Sequence, residues 1–166
     1  MEVPLSKYTM VHEIPKGFLL NDLNGCWIYL IESDFPVVEN AKGKNTAYPG
    51  NFSGLSLEST DTQRSLSIWE VLGFKIKIGN LNGGYIVLEN SDGFNVSIMK
   101  PLTCPHLFFN PSMTYFNGGK NLENIKNIRA ANIPITEEIT HFNEEGIVDN
   151  IIIRDPGGYG FFIFND

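Results

Sequence analysis

The sequence predicts an α+β protein made of two tandem β-α-β-β-β modules with an N-terminal β-hairpin extension. Three observations carry that expectation. Residues 21–31 (NDLNGCWIYLI), 89–99 (ENSDGFNVSIM) and 154–164 (RDPGGYGFFIF) align without a gap, each reading as a polar turn, a glycine and an apolar strand. The glycines, Gly25, Gly93 and Gly158, lie 93 − 25 = 68 and 158 − 93 = 65 residues apart, too long for a solenoid repeat and suited to a supersecondary module. A helical pattern precedes each of the last two stretches.

The first module opens with the alternating strand 52–59 (FSGLSLES) and continues into Thr60-Asp61-Thr62-Gln63, a capping-box pattern with Thr60 as cap and Gln63 reaching back. A helix follows, with Leu66, Trp69 and Leu72 on one face and Gly73 as its left-handed terminator. Strands near 74–79, 84–90 and 94–100 complete the module, separated by the turn sequences NLNGG and SDG.

After the proline-containing connector 101–112 the order begins again. A strand is expected near 113–117, with HLFF at 106–109 also strand-like. A helix at about 120–131 carries Leu122, Ile125 and Ile128 on one face and stops at Asn132. Strands at 135–142, 147–154 and 159–164 follow. The chain thus divides into residues 1–50, an N-terminal β extension and linker resembling the end of a further module, and residues 51–166, with modules at about 51–103 and 104–166. The extension has strand candidates at 8–13, 17–21 and 26–32. Joining a sheet edge, covering a groove and exchange with a partner chain, giving a homodimer, all remain open for it.

Composition narrows the function classes. The chain has 166 residues, 19 acidic and 12 basic, and a net charge of −7, which opposes binding to a phosphate backbone; nucleic acid is not an expected partner. No apolar run approaches the ~20 residues of a membrane span, so no membrane partner is expected either. The two cysteines, Cys26 and Cys104, occupy no CxxC or zinc pattern and fit a reducing, cytoplasmic setting. There is no Gx4GK[ST] or GxGxxG sequence to hold a nucleotide.

Paired β-α-β-β-β modules ending in RDPGGYGFFIF, with RAANIPI closing the preceding helix, resemble the vicinal-oxygen-chelate superfamily of glyoxalase I, extradiol dioxygenases and bleomycin-resistance proteins. The resemblance covers residues 51–166. It implies curled sheets enclosing a cleft, with the helices outside. In metal-dependent members the ligands stand at the first inward position of each module's first strand and on each last strand, which correspond here to Gly54, Ser97, Thr114 and Phe162, with Tyr29 in the matching column of the extension. Glycine and phenylalanine cannot coordinate, and neutral hydroxyls are weak donors beside His and carboxylate. No metal and no cofactor is therefore expected.

A pocket is expected nonetheless. Alternation places Gly54, Ser56, Asn95, Ser97, Met99, Thr114, Phe116, Phe162 and Phe164 on one side of their strands, opposite Leu55, Leu57, Val96 and Ile98. That small, aromatic and neutral lining suits a flat, partly apolar organic ligand, aromatic ones included, to be sequestered or sensed. The competing expectation is that the aromatics merely fill the space.

Two other functions compete. One is a glyoxalase-like metal-dependent lyase, isomerase or dioxygenase with ligands from unexpected positions such as His12, His106 or His141. The other is an interaction module with an exchanged N-terminal hairpin. Catalysis is the minority expectation, and no catalytic residue stands out. Cys104-Pro105-His106 lacks an acidic orienter for a Cys-His nucleophile. Glu137-Glu138 and Glu144-Glu145 read as solvated acids, and Asn117-Gly118-Gly119-Lys120 could receive an anion at a helix start but more simply permits a sharp turn.

Overall fold

Glycine-bounded runs of β-branched and aromatic residues become strands, and the two helical patterns become helices. The computed structural model describes residues 5–33, 48–104 and 111–165. The chain divides into two compact units, residues 1–42 with 56–111 and residues 43–55 with 112–166. The N-terminal strands thus share a unit with most of the first β-α-β-β-β stretch.

In the first unit, β1 (Val11–Ile14), β2 (Gly17–Asn21) and β3 (Trp27–Ile31) form a separate antiparallel sheet in the order β1-β2-β3. The strand β4 (Asn51–Glu58), of which residues 56–58 belong to this unit and 51–55 to the second, leads to helix α1 (Thr62–Val71), then β5 (Lys75–Asn80), β6 (Tyr85–Glu89) and β7 (Asn95–Met99). The cap of α1 is Asp61, whose side chain accepts Arg64 N–H at 3.0 Å, one residue later than the Thr60 the capping box suggested. The Ser59 hydroxyl accepts Asp61 N–H at 3.2 Å and so fixes the approach to the cap. Leu66 and Trp69 pack on Ile86, Leu88, Val96 and Ile98. On the other flank, Ile68 is fully buried with Leu5 and Leu20, so the N-terminal sheet covers the side of α1 turned away from β6 and β7.

In the second unit, β8 (Ser112–Phe116) precedes helix α2 (Asn121–Ala130), then β9 (Ile135–Ile139), β10 (Asn150–Arg154) and β11 (Gly160–Phe164). Strands β9, β10 and β11 form an antiparallel meander, and β11 pairs in parallel with β8. Ile125 and Ile128 pack against Ile151, Ile153 and Ile163. Asn121 rather than Leu122 completes that buried face: Leu122 is 55% exposed, whereas Asn121 is buried at the i, i+4, i+7 positions shared with Ile125 and Ile128. Asn132 terminates the helix region with φ 56°.

The strand order is β5-β6-β7 in the first unit and β8-β11-β10-β9 in the second. The three glycine-led stretches are hairpins in one register: Asn21 faces Trp27, Glu89 faces Asn95 and Arg154 faces Gly160. Their glycines sit at φ 99°, 80° and 89°, the left-handed region open to residues without a Cβ.

Candidate functional site

Strand alternation fixes which side chains share the face turned away from each helix. In the second unit, Val148 and Ile151 to Ile153 lead the chain through β10, with Ile151 and Ile153 against α2 and Ile152 on the opposite face. Register then places Glu137, Ile152, Phe162 and Thr114 in one row across β9, β10, β11 and β8, and Phe164 beside Phe116 in the next. Phe162 and Thr114 are buried, at 1% and 8% exposure. Phe116 and Phe164 are partly buried. The Phe162 and Phe164 rings meet edge to face at 5.6 Å, Phe164 meets Phe142 at 6.5 Å, and Phe142 meets His141 at 5.2 Å. An aromatic run therefore leads from the fully buried Phe162 to the 59% exposed Phe142. Gly54, also in this unit, is buried.

Sequence reasoning missed two members of this face. Phe142 belongs to a turn after β9, where strand alternation gives no facing rule. Glu137 was read with Glu138 as a solvated pair, yet the strand turns them to opposite sides. Glu138 pairs with Arg129 of α2 at 2.6 Å while Glu137, partly buried, joins the row of Ile152 and Phe162. Counting back by twos from the buried Ile139 would have placed Glu137 on the same side as Ile139 before the register was known.

The expected residues of the first unit are Ser56, Asn95, Ser97 and Met99. Ser56 and Met99 are buried, and Asn95 and Ser97 are partly buried. Ser97 shares a row with Val87 and Ile78, and Met99 shares one with Tyr85 and Asn80. Ile78 and Tyr85 are 56% and 40% exposed, while Asn95 shares its row with Glu89 and Lys75, so this face is apolar at one end and charged at the other. Val96, Ile98 and Leu57 lie in the core with α1.

A second constellation in the second unit is polar and buried. Asn121, fully buried, donates to the carbonyl oxygens of Asp149 and Ile163 and accepts from Asn117 Nδ2 at 2.8 Å. The Asp149 carboxylate accepts from Asn150 at 2.6 Å, Asn143 at 2.9 Å and Asn165 at 3.4 Å. These amides satisfy the carboxylate and tie β10, β11 and α2 together. The turn Asn117–Lys120 is occupied in the same work, since Asn117 also donates to Pro49 O at 3.4 Å; Gly118 and Gly119 are both left-handed. An open hollow of about 530 Å³ beside it is lined by Asn51, Lys120, Asn124 and Asn127 among others. None of the nine expected ligand residues lines that hollow or the two others at Gly17–Tyr29 and Lys75–Glu89.

The metal columns fit no metal. Gly54, Ser97, Thr114 and Phe162 supply two neutral hydroxyls at most, and among the described residues no group of three or more His, Cys, Asp or Glu is clustered for a cation. His12 lies exposed on β1 and His141 is exposed beside Phe142; His106 lies outside the described residues. Cys104 is partly buried and in no disulfide. Among the described residues no helix is long and apolar enough to cross a membrane.

No family model matches the sequence, and comparison with curated proteins finds no match. Solved structures do match. A glyoxalase/bleomycin resistance protein/dioxygenase superfamily member from Vibrio splendidus 12B01 is 20% identical over 68% of this chain and 96% of its own, with a TM-score of 0.45. An NAD-dependent benzaldehyde dehydrogenase from Legionella pneumophila is 8% identical over the same shares, with a TM-score of 0.54. The bleomycin resistance determinant encoded on the transposon Tn5 is 18% identical, again over 68% and 96%, with a TM-score of 0.27. Structural neighbours of this chain are glyoxalase/bleomycin resistance/dioxygenase superfamily members. Of these three, the Legionella pneumophila structure, with a TM-score above 0.5, speaks for a shared fold. At these identities the likeness concerns the fold alone, and one fold hosts unrelated chemistries. What the protein does has to be argued from its own side chains.

Proposed function

We propose that the protein binds a small, flat, partly apolar organic molecule on the helix-distal face of its second unit, and holds it without metal chemistry. The observation that carries this reading is that the metal columns Thr114 and Phe162 lie in an aromatic face whose rings continue outward through Phe164 to Phe142. Edge-to-face rings present both ring faces and ring edges to a guest, and each aromatic contact contributes about 0.5–1.5 kcal/mol beyond area burial. The buried Thr114 and, on the edge strand β9, Glu137 supply oxygen atoms in the same row. Phe162, already fully buried, acts as the floor, while Phe116, Phe142 and Phe164 make the contacts.

A thermal-shift screen of planar organic compounds, followed by ligand-observed NMR on the hits, tests this reading. Phe164→Ala and Phe142→Ala should each lose the hits, while Phe52→Ala, an exposed aromatic outside that run, should keep them. Hits that bind Phe164→Ala and Phe142→Ala as well as the parent would overturn it. One tightly held Zn, Ni, Mn or Fe per purified chain, found by elemental analysis, would favour the metalloenzyme reading instead.

A further inference from the structure

When glycine follows asparagine, the glycine nitrogen can swing onto the asparagine side-chain carbonyl carbon, because no Cβ stands in its way. The sequence holds three such pairs, Asn24-Gly25, Asn82-Gly83 and Asn117-Gly118. The fold sets them in different states. The side chain of Asn24, partly buried, donates to Asp22 O at 3.2 Å, Asp22 Oδ2 at 3.3 Å and Ser65 Oγ at 3.0 Å. That of Asn117, also partly buried, donates to Asn121 Oδ1 at 2.8 Å and Pro49 O at 3.4 Å. Asn82 is exposed in the 3-10 turn Leu81–Gly83 between β5 and β6, and among the described residues its side chain has no hydrogen-bond partner.

We propose that Asn82 is a site of spontaneous modification in the folded chain, converted to aspartate and isoaspartate while Asn24 and Asn117 are spared. Gly83 N bonds to Asn82 Cγ, the Cγ–Nδ2 bond breaks, and Nδ2 leaves as ammonia with the proton that Gly83 N gives up. A five-membered succinimide remains. Water opens it at Cγ, giving aspartate, or at the backbone carbonyl carbon, giving isoaspartate, in which the main chain runs through Cβ and Cγ. At Asn24 and Asn117 two or three hydrogen bonds hold the very amide that has to leave, and breaking bonds of ordinary worth slows closure about tenfold or more. At Asn82 the brake is a single bond on the attacking atom: Gly83 N–H donates to Asn80 Oδ1 at 2.8 Å. Because Asn80 and Tyr85 close the β5-β6 hairpin around this turn, isoaspartate lengthens its connection and adds a negative charge to a chain already at −7.

Peptide mass mapping of the full chain, sampled during incubation in mildly alkaline buffer, should find amide converted to acid first at Asn82, with Asn24 and Asn117 about tenfold slower or more. Asn80→Ala should hasten conversion of Asn82 several-fold by freeing the Gly83 N–H, whereas Asn80→Asp, which keeps an acceptor, should not. In urea the three pairs should convert at similar rates, since the fold is what separates them. A folded chain in which Asn24 or Asn117 converts as fast as Asn82 overturns the proposal. So does a ranking that survives unchanged in urea, because the sequence and not the fold would then set it. An Asn80→Ala chain no faster than the parent overturns the part given to Asn80.

Discussion

Asp22 Oδ1 accepts the backbone N–H of Cys26 at 2.8 Å, and the same bond links Asn90 to Phe94 at 2.9 Å and Asp155 to Tyr159 at 2.7 Å. In each hairpin the backbone returns the bond: Asp22 N to Cys26 O at 3.0 Å, Asn90 N to Phe94 O at 3.1 Å, Asp155 N to Tyr159 O at 3.1 Å. The repeat is thus a loop in which an Asp or Asn side chain stands in for a missing backbone acceptor. The glycine four residues into each stretch permits the reversal.

The three loops differ in burial, which sets what each acceptor is worth. Asp22 is fully buried and also accepts Asn24 N–H at 2.8 Å, whereas Asp155 and Asn90 are partly exposed. Asp22→Ala should cost about 2–3 kcal/mol, because two half-buried donors lose a fully buried partner. Asp155→Ala should cost about 1 kcal/mol, since water can replace the carboxylate there. Asp22→Asn should retain most of the stability, as Asn90 performs the same task in its own hairpin. Urea unfolding of the three variants checks the ranking.

The same carboxylate controls Cys26. Burial, the Asp22 charge and a hydrogen bond to Asp22 push the thiol from an ordinary value of 9.0 up to about 12. Cys26 should therefore react with a thiolate-selective reagent roughly a thousandfold more slowly in the folded chain than after denaturation. Asp22→Asn should recover part of that rate. The sign of the pH effect follows from linkage: the folded state keeps a proton that the unfolded state releases above about 9. Stability should fall as pH rises from about 9 towards 12, and Cys26→Ala should flatten the decline.

Much of the architecture was legible because period-2 and period-3.6 patterns report burial directly. Val96, Ile98, Leu66 and Trp69 appear in the core where alternation and helical spacing put them. What escaped were residues whose role depends on a partner distant in sequence. Ile68 faces away from Leu66 and Trp69, and only the N-terminal sheet explains its burial. Leu122 looked like a core residue until Asn121 took the inward position, because a polar side chain with three hydrogen-bond partners can be buried where a Leu could not satisfy the same carbonyls. Of the candidate site, the row of Thr114 and Phe162 followed from strand parity and Glu137 was open to the same count, whereas Phe142 lies in the turn beyond β9, where parity gives no rule.

Asn121 should accordingly be the most sensitive polar residue of the second unit. Asn121→Ala removes a donor to two buried carbonyls and an acceptor for Asn117, and should cost about 2–4 kcal/mol. In a chain of this size that is a fall in Tm of several degrees at least, since ~1 kcal/mol corresponds to about 2–4 °C. Asn121→Leu should do no better, although it is larger and apolar, because it leaves the same carbonyls unpaired. Equal stability of Asn121→Leu and the parent in a thermal melt would refute the argument.

Phe162 separates packing from binding. At 1% exposure its replacement by Ala should cost about 3–5 kcal/mol, the range for emptying a buried aromatic site. The partly buried Phe164 should cost less when truncated while losing ligand more completely, so stability and affinity should rank the two residues in opposite orders. Phe162→Glu asks whether one carboxylate restores metal chemistry. The other columns offer only Gly54, Ser97 and Thr114, none of which carries a positive charge to compensate the buried carboxylate. Burial would instead raise the new carboxyl above its ordinary value of about 4.3. The folded state would then hold a proton that the unfolded state has released, and stability should be greatest at about pH 4 and fall as pH rises towards 7. Thermal melts of Phe162→Glu and the parent across that range, with and without added Zn²⁺, measure it; a metal-dependent rise in Tm for the variant alone would contradict the reading of these columns as unable to hold a metal.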